Sequence, residues 1–276
     1  VSVESSARMQ TDVFSPHARE FIGLLETVDA DSLADGAELV ALRAWDGYEH
    51  AGSREALVFQ IWGRRHLRPR LIEARLEADA VPAASRSEAR ALIAKDESTG
   101  GDLRGDLRML AWLRTSDPAL LTRLTGESLT AAIAELSDLL GAESSDNPWS
   151  WGALHHSAVT HAAFAGRDDV PADWRTRGPL PRGGSGDTVG LAAYDPAFRQ
   201  SMGSSFRMVI DVGEWDRSVV MNSPGQSGDP ASPHYGDLFA PWAKGEVFPL
   251  AYSWAAVHEV AEYRITLNPA PTEEGV

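Results

Sequence analysis

The chain of 276 residues contains no cysteine. Disulfide bridges, thiolate metal sites and cysteine nucleophiles are therefore excluded within it. Basic residues are scarce: 25 Lys and Arg stand against 40 Asp and Glu, a formal net charge of −15. A surface of that sign repels phosphate backbones and anionic headgroups, and no basic run offsets it. Neither nucleic acid nor a membrane is an expected partner. No stretch approaches the roughly 20 consecutive apolar residues of a bilayer-spanning helix. The opening VSVESSARMQ lacks the basic-then-apolar pattern of a secretion signal, and it lacks an initiator methionine. Val1 reads as a cut end, which predicts that the chain is one piece of a longer precursor.

Apolar residues make up 43% of the chain, enough for a sizeable core. Nine tryptophans are spread from Trp45 to Trp254. That spread suits large core residues with bonded N–H groups better than a ligand-stacking platform.

The first half has a helical texture. Ser2, Glu4 and Ser5 make a loose capping box. Phe14, Phe21, Leu24, Leu25 and Val28 fall on helical spacings, with a break at Pro16. Leu39, Leu42 and Trp45 step by three towards a stop at Gly47. Leu57, Ile61, Leu67 and Leu71 mark another helix. Two more are predicted over 100–118 and 125–141, the last capped by Thr125 or Ser128 and closed by Gly141.

After AESSDNPWSWG (142–152) the texture changes to Gly, Pro and short apolar runs. SFRMVIDVG (205–213), SVVMNS (218–223) and EYRITLNP (262–269) are predicted strands, with EWDR (214–217) as a hairpin loop between the first two. SPHYGDLFAPWAKG and SWAAVHEVA suit short helices, and PAPTEEGV (269–276) a frayed tail. The expected fold class is α+β: a mainly helical region over 1–142 and an α+β region over 143–276.

Three features invite a chemical reading. In Gly225-Gln226-Ser227-Gly228-Asp229 the serine sits where a nucleophile would, with His234 seven residues on. A nucleophile elbow needs G-x-S-x-G between strand and helix. Here the fifth residue is Asp and Pro230 follows, so a stiff structural turn is the better reading. His155, His156 and His161 are spaced by one and five, which does not place two imidazoles on one helical face; bonds to nearby backbone are expected rather than a metal. GGSGD (183–187) is followed by no lysine and suits a flexible or tightly turned surface loop better than a phosphate cradle. No acidic pair stands out from a solvated acidic surface. With no complete active site, the chain is either a non-catalytic binding or structural module, or a scaffold for a reacting group on another chain.

Four segments, in order, resemble the penicillin acylase (penicillin amidase) family: NPWSWGALHHSAVTHAAF, GPLPRGGSGDTVGLAAY, GSSFRMVIDVG and PGQSGDPASPHYGDLFAPWAKGEVFPL. MQTDVFSPHA in the first half is similar to a stretch within the family's large subunit. The resemblance implies an N-terminal nucleophile hydrolase with a four-layer αββα fold, of which this chain is the C-terminal part of the large (beta) subunit. It implies self-cleavage of a precursor, a serine hydroxyl at the new N-terminus as nucleophile, its own α-amine as base, and an acyl-enzyme. It implies an acylated small molecule as substrate: a penicillin, an acyl-homoserine lactone or a lipopeptide. Val1 cannot be that serine. No residue of this chain matches the family's catalytic, oxyanion or metal positions, so none is assigned here. No cofactor is expected for catalysis; a structural calcium belongs to the partner chain. The expected partners are the small subunit and the N-terminal part of the large subunit, and the expected compartment is periplasmic or secreted. Gln226, Ser227, His234 and Tyr235 are expected to hydrogen-bond in a buried turn.

Overall fold

The computed structural model describes residues 2–88 and 103–269; Val1, part of the 100–118 helix and most of the expected frayed tail lie outside them. The first half is helical, as the periodicity predicts, and local chemistry sets its boundaries. Ser2 and Ser5 close a reciprocal capping box on the Val3–Gln10 helix. Ser15 caps Pro16–Gly23, with Pro16 at the first helical position, where its missing N–H costs nothing. Gly36–Ala44 ends before Gly47, which carries φ +87°.

Arg54–Phe59, Gln60–Leu67 and Arg68–Ala78 run on without a break. The middle segment is a π-helix, and the Arg68 N–H reaches back five residues to the Gly63 carbonyl. Pro69 has no N–H to give the Arg65 carbonyl, so the regular ladder fails at that point in any case. The helix therefore widens here and presents Gln60 and Arg64 to one neighbour and Arg65 and His66 to another.

One boundary differs from the expectation. The last long helix runs Pro118–Leu140, capped by Asp117 and ended by Gly141 at φ +79°. It starts seven residues before Thr125, because the Asp117–Pro118 pair is a stronger start. Thr125 and Ser128 are buried in its interior, where the Ser128 hydroxyl accepts the Trp62 indole N–H at 2.7 Å.

These helices enclose one large apolar core. Trp62 lies at its centre, edge-on to Phe21 at 5.9 Å. Trp149, Trp151 and Phe198 from beyond residue 142 belong to the same core. Of the nine tryptophans, Trp45, Trp62, Trp149, Trp151 and Trp242 are buried with bonded indole N–H groups. Trp215 and Trp254 are 46% and 80% exposed, against expectation.

The second half contributes three small antiparallel sheets. β1 (His156–Thr160) pairs with β2 (Thr176–Pro181), and β3 (Ala192–Tyr194) with β4 (Gln200–Gly203). β5 (Arg207–Val209), β6 (Val219–Met221) and β7 (Phe248–Pro249) form the third. β5 and β6 lie within the two strands read from the sequence, and a 3-10 turn at Trp215–Arg217 occupies the expected hairpin loop. Phe239–Ala243 and Trp254–Val260 are the expected short helices.

EYRITLNP is not a strand. Among the described residues no strand pairs with it, and alternate residues Tyr263, Ile265 and Leu267 are 78%, 72% and 89% exposed. The alternation is right, but a ladder needs a second strand. Among the described residues no helix is long and apolar enough to cross a membrane.

Trp151 ties the halves together. It is fully buried, stacks on His155 at 4.7 Å and donates its indole N–H to the Gly184 carbonyl at 2.9 Å. Trp151→Ala is expected to lower unfolding free energy by about 3–5 kcal/mol in a denaturant titration, and Trp151→Phe by about 1–3 kcal/mol through the orphaned carbonyl. A loss below ~1 kcal/mol for the alanine variant would contradict this role.

Candidate functional site

The turn around Ser227 is held by its backbone. The N–H groups of Gln226 and Ser227 both donate to the His234 carbonyl, at 2.9 and 3.0 Å. The Ser227 hydroxyl accepts the Asp229 N–H at 3.1 Å. The His234 imidazole faces away from this loop chemistry: Nδ1 bonds Asp237 at 2.8 Å, and Nε2 lies 3.8 Å from Glu262. The Asp237 carboxylate raises the His234 pKa above its ordinary value. The turn is thus hydrogen-bonded, as expected, but it is not buried. Gln226 and His234 are exposed, and only Tyr235 is enclosed, its hydroxyl donating to the Trp174 carbonyl at 2.7 Å. Gly225 explains the tight closure: a Cβ there would sit 2.3 Å from the His234 carbonyl oxygen.

The three histidines serve separate places. His155 is fully buried and its Nδ1–H donates to the Arg182 carbonyl at 2.9 Å. Burial pushes its pKa down to about 4, so the ring is neutral. His156 bonds the Leu154 carbonyl at 2.7 Å, and His161 stacks on Phe164 at 4.2 Å. Among the described residues no group of three or more His, Asp or Glu is placed to hold a metal ion.

The 183–187 loop is tight, but it is not a surface loop. Ser185 is fully buried and the Asp187 side chain is 2% exposed. The loop presses on the backbone of residues 49–51. The Gly184 N–H donates to the Glu49 carbonyl at 2.7 Å, and a Cβ on Gly183 would lie 2.8 Å from that oxygen. Its glycines therefore serve close approach between two strands of backbone.

This contact assembles a polar cluster that no spacing in the sequence announces. Glu49 is fully buried. Gln60 donates to Glu49 Oε1 at 2.8 Å, and Gln60 Oε1 accepts both Arg64 at 3.0 Å and the Tyr194 hydroxyl at 2.7 Å. Arg64 then pairs with Asp187. Burial alone would lower the Arg64 pKa, but the Asp187 carboxylate outweighs it and holds the guanidinium charged. Burial raises the Tyr194 hydroxyl above its ordinary pKa. Among the described residues Glu49 Oε2 has no hydrogen-bond partner, and burial pushes the Glu49 pKa up to about 7, with Ser185 and Gln60 offsetting only part of it. A carboxyl held near neutrality is able to exchange protons. Here, however, it is fully enclosed, so the cluster acts as a buried joint.

A sizeable cavity lies elsewhere. It measures about 760 Å³ and opens between residues 5–13, 48–51, 181–183 and 243–245. Arg8, Arg182 and Lys244 line it, with a single acid, Asp12. The Asp12 carboxylate already accepts the Phe14 N–H at 2.9 Å.

A penicillin amidase family model matches residues 1–259. The penicillin acylase 2 proenzyme of Pseudomonas sp. (strain SE83) is 31% identical over 98% of this chain, which spans 33% of that protein. The acyl-homoserine lactone acylase QuiP of Pseudomonas aeruginosa is 32% identical over 55% of this chain and 19% of its own length. Among solved structures, a thermostable penicillin G acylase from Alcaligenes faecalis superposes with a TM-score of 0.51 at 22% identity, covering 94% of this chain and 48% of that one. The chain therefore spans about a third or less of these curated relatives.

The buried Glu49 carboxyl has a definite consequence for stability against pH. Its pKa is about 7 in the fold against 4.5 for the free side chain. The folded state thus binds this proton more tightly than the unfolded state. Its contribution is greatest below pH ~4.5 and is lost as pH rises towards and through 7, by about 3 kcal/mol in all. Glu49→Gln removes the titration. The difference in unfolding free energy between the variant and the parent is expected to shift in the variant's favour between pH 5 and pH 8; a pH-independent difference would contradict the assignment.

Proposed function

Because the chain belongs to the penicillin amidase family, we propose that it is the C-terminal part of an acylase that hydrolyses the amide of an acylated small molecule. The observation that carries this reading is the family match over residues 1–259, which takes in the Ser227 turn, the histidine segment and the Gly-rich loop together. Penicillin and acyl-homoserine lactone are the substrates in the names of its relatives, and a lipopeptide acyl chain is a third of the same chemistry. The shared element is an acyl group on an amide nitrogen.

The nucleophile in this reading is a serine at the N-terminus of another chain cut from the same precursor. Its hydroxyl attacks the carbonyl carbon while its α-amine takes the proton; the tetrahedral adduct then expels the amine, which receives that proton, and the acyl-enzyme left behind is hydrolysed by water to the free acid and the original serine. An α-amine suits the role because its ordinary pKa of about 8 lies near working pH. The residues described above act as scaffold. The Ser227 hydroxyl is occupied by a backbone N–H and His234 by acidic neighbours, an arrangement that favours a structural turn. The exposed apolar row at Tyr263, Ile265 and Leu267 is likewise suited to burial against further polypeptide. The four-layer αββα arrangement, a periplasmic or secreted location, and a structural calcium on the partner chain complete the proposal; catalysis itself requires no cofactor.

Two rivals give different outcomes. In a non-catalytic acidic module, this chain purifies alone and no amide is cleaved. In a hydrolase acting through Ser227, a serine-directed covalent reagent adds mass to this chain. The proposed reading expects the label on a different chain that begins with serine. It also expects Ser227→Ala to keep most of the assembled enzyme's kcat; a ~1000-fold loss with folding intact would assign the chemistry to Ser227 instead.

A further inference from the structure

Arg182, which lines the sizeable cavity, and Arg207 are buried, and among the described residues neither has an acidic partner. Arg182 and Arg207 are 7% and 4% exposed. Both guanidinium carbons lie over the Trp242 ring, 4.7 and 5.8 Å from its centre. Among the described residues, their hydrogen bonds go to main-chain carbonyls. Arg182 Nη1 donates to Ala243 and Arg207 Nη2 to Trp242, each at 2.8 Å. Arg182 Nε, Arg207 Nε and Arg207 Nη1 are enclosed with no acceptor. Burial, then the like charge of Arg207, lowers the Arg182 pKa to about 10, and burial lowers that of Arg207. No carboxylate within the described residues acts against either shift.

An indole face attracts a cation but does not neutralise it. Buried charges persist where they are paired, because desolvation without a counter-charge is strongly unfavourable. The omission is notable in a chain with 40 acidic residues and a net charge of −15. Arg182 lines the 760 Å³ cavity, and Arg8 and Lys244 line it too. One cavity of an acidic chain is therefore cationic. Its lining also includes Met9, Val13 and Pro181. That mixture suits an acidic residue carried on a packed segment better than a free, fully hydrated anion. Such a segment has a source: about two-thirds of the penicillin acylase 2 proenzyme lies outside the part this chain spans.

We propose that the cavity receives an Asp or Glu side chain from another chain of the same precursor, lodged against Arg182 with Lys244 beside it. The carboxylate pairs with the free part of the Arg182 fork and lowers the electrostatic cost of keeping Arg207 behind it. The inference rests on the reading of this chain as one part of a processed acylase.

Lys244 makes the test direct, because the chain has only two lysines, Lys95 and Lys244. The assembled protein is treated with a zero-length carbodiimide, which joins an amine only to a carboxylate in contact with it. Mass spectrometry then identifies what Lys244 is joined to. The expected product joins Lys244 to an Asp or Glu of a different chain. The proposal is overturned if the other chains co-purify but Lys244 is joined only to acids within residues 1–276, or to none. If no other chain co-purifies, the underlying reading of function falls, and the inference with it. A second measurement guards against a misfolded variant. The charge reversal K244E, on the cavity lining, is expected to weaken association of this chain with its partners at least ~10-fold while its melting temperature alone is unchanged; unchanged association would overturn the proposal.

Discussion

The run Glu49–Gln60–Arg64–Asp187 is the contact on which the arrangement of the chain depends. Arg64 and Asp187 are separated by more than a hundred residues, and both would be unfavourable to bury alone. Together they are satisfied, with Gln60 relaying to Glu49 and Tyr194. The relay runs along one face of the π-helical segment, where Gln60 and Arg64 are neighbours. It requires glycines at 183 and 184, because a side chain at either would strike backbone or the Thr188 hydroxyl. Trp151 seals the same junction from the apolar side. A helical first half and a loop-rich second half are thus fixed by one polar joint inside one shared core.

This joint explains why a family resemblance carried by short, scattered motifs is physically coherent. WSWG supplies Trp151. GPLPRGGSGDTVG supplies Arg182, the close-packing glycines and Asp187. SSFRMVIDVG supplies Arg207, and APWAKG supplies Trp242, the ring on which both buried arginines lie. Each motif is a place where backbone comes close to backbone or a charge goes below the surface. Those are the positions at which substitution is least tolerated. In the proposed acylase they give the reacting serine a rigid support and leave its chemistry to another chain.

Much of the fold was legible from periodicity and punctuation. Helix positions, the capping box at Ser2, the stop at Gly141 and the hairpin over 205–223 all follow from local rules. The misses have physical causes. Thr125 and Ser128 look like caps, yet they serve as buried polar partners mid-helix, and Asp117–Pro118 begins the helix instead. EYRITLNP has strand alternation but no partner strand, and pairing is not a local property. The Gly-rich loop reads as surface because glycine is common in surface turns; only tertiary contact shows that it is buried against residues 49–51. The Glu49 cluster has no sequence signal at all, since its members sit at 49, 60, 64, 187 and 194 and meet only through the fold. For the turn at 221–238, the hydrogen bonding matches the sequence reading, while its degree of burial was overestimated.

In the proposed acylase this polypeptide shapes and supports an active site whose nucleophile lies elsewhere. The most direct measurement compares amide hydrolysis by the purified 276-residue chain with hydrolysis after the remaining chains of the precursor are added back, using an acylated chromogenic amine. The chain alone is expected to show no turnover above background, and activity is expected to appear on reassembly. Sustained turnover by the folded chain on its own would contradict this reading.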